Sequence, residues 1–212
     1  MTARPFLYDY WRSSASYRVR IALNLKGIAH DSASVDLVRG DQRSPEHLDR
    51  NPQGFVPALR IDGLLLTQSL AIIDYLDETR PEPPLLPPDA TGRARVRALA
   101  HAVAMDIHPI CNLHVAAHVM ARHPDAPEAA RQDWMVHFIT RGLDALERMV
   151  GAGAYCYGDT PTLADICLVP QIYNARRWGV DLTRHPRLVA IDAACADLPA
   201  FADAHPDRVK PA

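Results

Sequence analysis

Residues 11–27 read Trp-Arg-Ser-Ser-Ala-Ser-Tyr-Arg-Val-Arg-Ile-Ala-Leu-Asn-Leu-Lys-Gly, and this stretch decides the N-terminal fold. An apolar run at residues 6–10 precedes it and has the composition of a strand. A serine pair, Ser13 and Ser14, comes next, and then Val19, Ile21, Ala22, Leu23 and Leu25 give a helix-like run that Gly27 can end. A serine at a helix start caps it, accepting hydrogen bonds from the first free N–H groups. It can also turn its hydroxyl toward an anion held by the helix dipole. With Arg12 beside the serines, the segment is suited to a negative group. A plain capped helix would use the same residues.

Working outward, the first 80 residues alternate in texture. A strand is expected at 6–10, a helix at 14–26, a second strand at 33–38 and a short helical or irregular piece at 45–50. Residues 56–61 and 64–67 flank Asp62-Gly63, a hairpin-turn pair. Ser69 is placed to cap a helix running from 70 to about 79. This βαβ unit, hairpin and helix predict a small mixed sheet with helices packed on it, an α/β domain. Residues 81–92 hold five prolines and cannot continue a helix. Beyond them, residues 93–122 and 128–150 are rich in Ala, Leu and Arg at helical spacing. Residues 151–158 are turn-rich, Thr162-Leu-Ala-Asp165 resembles a capping box, and Pro186 and Pro199 bracket a helix at 187–197. The expected organisation is an α/β domain over 1–82, a Pro-rich linker over 83–92 and an all-α domain over 93–212.

Bulk properties narrow the classes. The 212 residues are 48% hydrophobic and 23% charged, an ordinary globular balance. A net charge of −2 provides no basic field for nucleic acid. Four scattered cysteines with no C-x-x-C pair argue against a zinc ribbon, a dithiol redox site and a disulfide scaffold. No apolar run approaches the ~20 residues of a membrane span, and no signal peptide is evident. A cytoplasmic protein that does not engage membrane is expected.

Two further segments could serve a ligand. Asn51-Pro52-Gln53-Gly54-Phe55-Val56-Pro57 leads into the hairpin. A proline there sits at a strand start or edge. An ordinary trans bond suits that position; a cis bond before Pro57 would expose the Val56 backbone to a peptide-like ligand. Gln68-Ser69 opens the helix after the hairpin. Two serine-opened helices in one small unit could cradle a ligand with several carboxylates. Other candidates read as structure. His114 and His118 have the spacing of a metal pair but no third ligand nearby, so no metal site is expected. Tyr8 and Tyr10 read as packed strand aromatics, and Cys111 as a small core residue.

The ordered set Ser13-Ser14-x-Ser-x-Arg18-Val-Arg20-Ile-Ala-Leu, Asn51-Pro52-Gln53-x-x-Val56-Pro57-x-Leu59 and Gln68-Ser69-x-Ala71-Ile72-Ile73 resembles the zeta class of glutathione transferases. That class includes maleylacetoacetate and maleylpyruvate isomerases. The resemblance continues through Asp106-Ile-His108-Pro109, Gly158-Asp159-x-x-Thr162-Leu-Ala-Asp165, Leu168-Val-Pro170-Gln171 and Asn174-Ala-x-Arg177, and covers about residues 6–190. It implies a thioredoxin-like domain, then a helical domain, in a homodimer that binds glutathione. Ser13 and Ser14 would then face the glutathione sulfur. The Val56 backbone before a cis Pro57 would pair with the cysteinyl part, and Gln68 and Ser69 would hold the γ-glutamyl end. His108 would stand near the glutathione, followed by Asn112. Arg12 and Arg177 would meet substrate carboxylates. The chain departs from the class pattern at Ala15, where a cysteine is common, and at Leu113-His114, where many bacterial relatives carry an arginine. His114 could take over that contact.

The implied activity is glutathione-dependent cis–trans isomerisation of a maleyl diketo acid, maleylacetoacetate to fumarylacetoacetate, as in aromatic amino acid catabolism. Three alternatives stand beside it: a maleylpyruvate isomerase, a general detoxifying glutathione transferase, and a non-catalytic transferase-like binding protein.

Overall fold

The apolar run ahead of the serine pair forms β1 (Phe6–Asp9), and the helix-like run forms α1 (Ser14–Leu25). Gly27 follows the helix at a φ of +64°, a left-handed conformation that costs glycine little. These elements come from a computed structural model that describes residues 4–211. Contacts divide the chain into two units, one made of residues up to Leu85 together with those from Asp197 on, the other of Leu86–Ala196.

In the first unit β1 pairs in parallel with β2 (Asp31–Ser34) and antiparallel with β3 (Ala58–Ile61), which pairs in turn with β4 (Leu64–Thr67). The order is β2-β1-β3-β4. Asp62 and Gly63 turn the hairpin with φ of +52° and +79°, as a two-residue primed turn requires. Tyr75 Oη and Arg80 Nη2 each donate to the Asp62 carboxylate at 2.8 Å and hold its pKa below the usual range. α2 (Pro45–Arg50) opens on Ser44, whose Oγ accepts from the His47 N–H. α3 (Ser69–Thr79) packs beside α1, with Val19, Ile21, Leu23, Ile72, Ile73 and Leu76 in the core they share with the sheet.

Three expectations change here. The second strand lies at Asp31–Ser34 instead of 33–38. Val35 still donates from its N–H to the Asp9 carbonyl at 2.7 Å, but Asp36 Oδ1 accepts from the Val38 and Arg39 N–H groups and turns the chain away. Ser69 is the first residue of α3 and not its cap; Gln68 holds the cap position at a φ of +67° and makes no side-chain capping bond. The chain after residue 196 groups with the first unit, because backbone carbonyls there receive α1 side chains. Tyr17 Oη donates to Phe201 O at 3.5 Å, Arg20 Nε to Ala204 O at 3.1 Å and Asn24 Nδ2 to Ala200 O at 3.0 Å.

The second unit is helical: α4 (Ala90–His101), α5 (Leu113–Arg122), α6 (Pro127–Met149), α7 (Leu163–Arg177) and α8 (Pro186–Ala196). Two short helices, α9 (Pro199–Ala202) and α10 (Pro206–Val209), follow in the first unit. α4 begins inside the expected linker because Asp89 caps it, Oδ1 accepting from the Gly92 N–H at 2.8 Å. The helix expected over 93–122 is interrupted by a π-turn, Ala102–Ile107, and by turns up to Asn112. The capping box opens α7: Thr162 Oγ1 accepts from the Ala164 N–H, and Asp165 Oδ2 accepts from the Thr162 N–H at 2.8 Å. Asp165 is fully buried, and its other oxygen accepts from the Cys156 N–H at 2.7 Å. Among the described residues no helix is long and apolar enough to cross a membrane.

Candidate active site

The strand register brings three loop ends together. Tyr8 is paired with Ala58, and Ala58 with Thr67, so these residues form a row across the sheet. Beyond that row β1 runs on toward Ser13, β3 is entered from Val56-Pro57, and β4 leaves into Gln68-Ser69. The serine pair, the Val-Pro step and the Gln-Ser step thus lie at one end of one sheet, although up to 55 residues of chain separate them.

Two helix N-termini open at this end. Ser13 caps α1, its Oγ accepting from the Ser16 N–H at 3.3 Å, and the buried Ser14 follows as the first helical residue. Neither α1 nor α3 carries an acidic residue in its first turn, whereas α2 carries Glu46 there. The positive ends of both dipoles therefore stay available to an anion. Arg12 stands beside the cap, with its guanidinium carbon 5.3 Å from the centre of the Trp11 ring. The loop carrying these residues is tied down by Arg20, whose Nη2 donates to Trp11 O at 2.9 Å.

The Val56–Pro57 bond is cis, as the resemblance implies. Both residues are buried, and Val56 packs in a cluster with Tyr8, Tyr10, Val35 and Ala58. Tyr8 is thus a core aromatic, and its hydroxyl accepts from Arg60 Nη2 at 2.7 Å. Ahead of Val56, one carbonyl is held twice: Phe55 O accepts from His47 Nε2 and from Asn51 Nδ2, each at 2.9 Å. On α3, Ser69 Oγ accepts from Nη1 of the buried Arg18 at 3.3 Å. Gln68, exposed, donates from Nε2 to Gln53 Oε1 at 2.6 Å. Its positive φ is uncommon for a residue with a side chain, and its ψ of 115° lies outside the left-handed helical region.

The residues proposed from the second unit are placed within it. His108, half-buried, ends the π-turn, its N–H donating to Val103 O at 2.9 Å. Asn112 caps α5 and accepts from the Leu113 N–H at 2.6 Å. His114 and His118 are exposed on α5, and no cluster of metal-ligating side chains occurs among the described residues. The adjacent arginines of α7 differ. Arg176 pairs with Asp192 at 2.6 Å, while Arg177 donates to Asn174 Oδ1 at 3.3 Å within its own helix. Burial raises the thiol pKa of Cys111 to about 11 and pushes those of Cys156 and Cys195 up, so these three cysteines are poor nucleophiles at neutral pH.

Arg18, Arg20, His47 and Asn51 act on the site from behind, and the sequence reading assigned them no role. Their signal is faint: arginines inside an apolar helical run, and a His-Asn pair four residues apart, the histidine on a short helix and the asparagine just past its end.

Comparison with known proteins places the chain in a family. Residues 7–84 match the glutathione S-transferase N-terminal domain, and residues 128–203 match the glutathione S-transferase C-terminal domain. The maleylacetoacetate isomerase of Rhizobium meliloti (strain 1021) is 63% identical over 214 residues, covering 100% of both chains. The holo structure of a maleyl pyruvate isomerase, described as a bacterial zeta-class glutathione S-transferase, superposes with a TM-score of 0.93 at 46% identity, covering 97% of this chain and 98% of that one. A maleylacetoacetate isomerase from Anaeromyxobacter dehalogenans 2CP-1, solved with bound dicarboxyethyl glutathione and citrate, gives 0.87 at 48% identity, covering 97% of this chain and 96% of that one. The chain belongs to the glutathione S-transferase family, among its zeta-class maleyl-acid isomerases.

Proposed function

We propose that this protein uses glutathione to convert the cis double bond of a maleyl diketo acid to trans, with maleylacetoacetate as its substrate. The observation that carries the reading is the convergence of the Ser13-capped helix, the Val56-Pro57 step and Ser69 at one end of the sheet. That set consists of hydroxyls, amide groups and two dipole ends. It fits a tripeptide with carboxylates and an ionisable thiol.

The residues divide the work as follows. Gln68 and Ser69 hold the γ-glutamyl end against the N-terminus of α3, and the Val56 backbone pairs with the cysteinyl part. Ser13 and Ser14, with the N-terminus of α1, lower the pKa of the bound thiol and raise its ionised fraction at neutral pH. Bound glutathione supplies a sulfur nucleophile that adds to the double bond, lets the resulting single bond rotate, and leaves again unconsumed. Arg12 and Arg177 neutralise the substrate carboxylates and the charge that develops beside them, since a guanidinium grips a carboxylate in two places. His114 adds a cation only when protonated. His108 and Asn112 are assigned to the glutathione by the resemblance. The active form is a homodimer in the cytoplasm. The neighbour that binds dicarboxyethyl glutathione supports a site that takes tripeptide and dicarboxylate chemistry together.

Substitution of Arg177 tests the substrate part. Arg177→Ala raises KM for the maleyl acid strongly and leaves glutathione affinity nearly unchanged. An unchanged KM with both maleylacetoacetate and maleylpyruvate would place the carboxylate contact elsewhere. Sedimentation at micromolar concentration should give twice the chain mass.

A further inference from the structure

We infer that His47, with Asn51, is a positioning residue for the backbone N–H of Val56. The inference rests on the glutathione reading of the site and adds a part to it. Neither side chain is among the groups assigned to the ligand. Both are almost fully buried, at 1% and 2% exposure.

Their geometry converges on one atom. His47 Nε2 and Asn51 Nδ2 each lie 2.9 Å from Phe55 O. A carbonyl only accepts, so Nε2 is the donating nitrogen of the His47 ring, and Nδ1 is buried without a hydrogen-bond partner. Asn51 is fixed in turn by its own oxygen, which accepts from the Gln53 N–H at 3.2 Å. Ser44 anchors the other end of the helix by capping it at His47 N. The two donors are therefore held before any ligand arrives.

The consequence follows from peptide geometry. Phe55 and Val56 are joined by an ordinary trans bond. In a trans peptide the carbonyl and the following N–H lie in one plane and point in opposite directions. Two buried donors that fix the Phe55 carbonyl on the α2 side thereby aim the Val56 N–H away from α2. In the proposed pairing of the Val56 backbone with the cysteinyl part, that N–H is the donor available to the cysteinyl carbonyl of glutathione. With the clamp weakened, the peptide plane can tilt about its flanking bonds, and a pre-aimed donor becomes one that must be ordered on binding. Holding a donor ready in this way lowers the entropic cost of binding.

Paired ligands test this. Glutathione has the cysteinyl carbonyl; γ-glutamylcysteamine keeps the γ-glutamyl group and the thiol but lacks that carbonyl. In the full-length ¹⁵N-labelled protein, the Val56 amide proton should shift downfield with glutathione and stay in place with γ-glutamylcysteamine. His47→Leu should weaken glutathione binding about tenfold and change γ-glutamylcysteamine binding by less than about twofold. His47→Gln, which can return an N–H to the same place, should recover most of the loss. Equal losses for both ligands in His47→Leu, or a Val56 amide that responds alike to both, would overturn the inference. If His47→Leu does not fold, the wild-type spectra and the ligand pair in His47→Gln decide it: a Gln variant that loses affinity for both ligands alike also overturns it. Failure of the wild-type protein to bind glutathione would remove the site reading itself. Binding without a Val56 response would remove only the role of His47.

Discussion

Arg20 and Asp9 form a buried ion pair, with Nη1 of the arginine 2.9 and 2.7 Å from the two carboxylate oxygens. The same guanidinium donates from Nη2 to Trp11 O and from Nε to Ala204 O. One side chain thus joins the end of β1, the loop that delivers Ser13, and the C-terminal segment. Removing one partner of a buried pair leaves the other charged and without its counter-ion. Arg20→Met should lower unfolding stability by about 3–5 kcal/mol in urea titration, and Asp9→Ala by a similar amount. A change within about 0.5 kcal/mol, as for an exposed pair, would show that solvent reaches the site.

Ser13 has two separable roles. As the cap of α1 it accepts from the Ser16 N–H, so Ser13→Ala should cost about 1 kcal/mol of stability. As a group facing the sulfur, it should cost far more in rate, about 10²–10³-fold in kcat. The absorbance of bound thiolate, titrated against pH, should show a raised apparent pKa in Ser13→Ala. A stability loss with thiol pKa and rate unchanged would reduce Ser13 to a cap.

Gly142 sits in the middle of α6, where glycine normally weakens a helix by about 1 kcal/mol relative to alanine. A Cβ there would lie 2.3 Å from Cγ1 and Cδ1 of Ile107, at the end of the π-turn. Overpacking of this kind costs about 1–3 kcal/mol, so Gly142→Ala should lose stability in spite of its better helix propensity. A stabilised variant in thermal unfolding would mean that Ile107 moves aside freely.

The raised thiol pKa values also set a pH dependence. An unfolded cysteine ionises near pH 8.5, whereas burial holds Cys111 protonated up to about 11 and raises Cys156 and Cys195 as well. Above the unfolded value the unfolded chain binds fewer protons than the folded one, and stability falls as pH rises. The contribution is complete below about pH 8.5 and declines through the folded value. Urea midpoints should therefore drop between about pH 8.5 and 10.5, and the drop should be shallower in Cys111→Ala. A drop of the same size in Cys111→Ala would assign it to other groups.

The N-terminal unit was legible because its signals are local. Asp62-Gly63 specifies a turn with two positive φ angles, and the strands beside it follow. The apolar run of α1 and the Thr162–Asp165 box were legible for the same reason. What stayed hidden depends on partners far along the chain. The residues after 196 join the first unit through main-chain carbonyls, which leave no mark in composition. Ser69 resembles a cap in sequence, but the chain enters α3 through a positive φ at Gln68, and the hydroxyl turns to Arg18 instead. The π-turn at Ala102–Ile107 packs against α4, α6 and α7, and its residues read as ordinary helix formers. The roles of Ser13, Val56 and Gln68 were carried by motif resemblance; the strand register supplies the physical reason they share one end of the sheet.

Turnover under limiting glutathione decides whether glutathione returns unchanged from the isomerisation. The purified protein is given maleylacetoacetate, and in parallel maleylpyruvate, in large excess over glutathione, with the trans product and the free thiol followed together. Many equivalents of trans product should form per glutathione, with the thiol fully recovered. Thiol lost in step with substrate would make the protein a conjugating transferase, and the absence of trans product from both acids would rule out isomerisation of either.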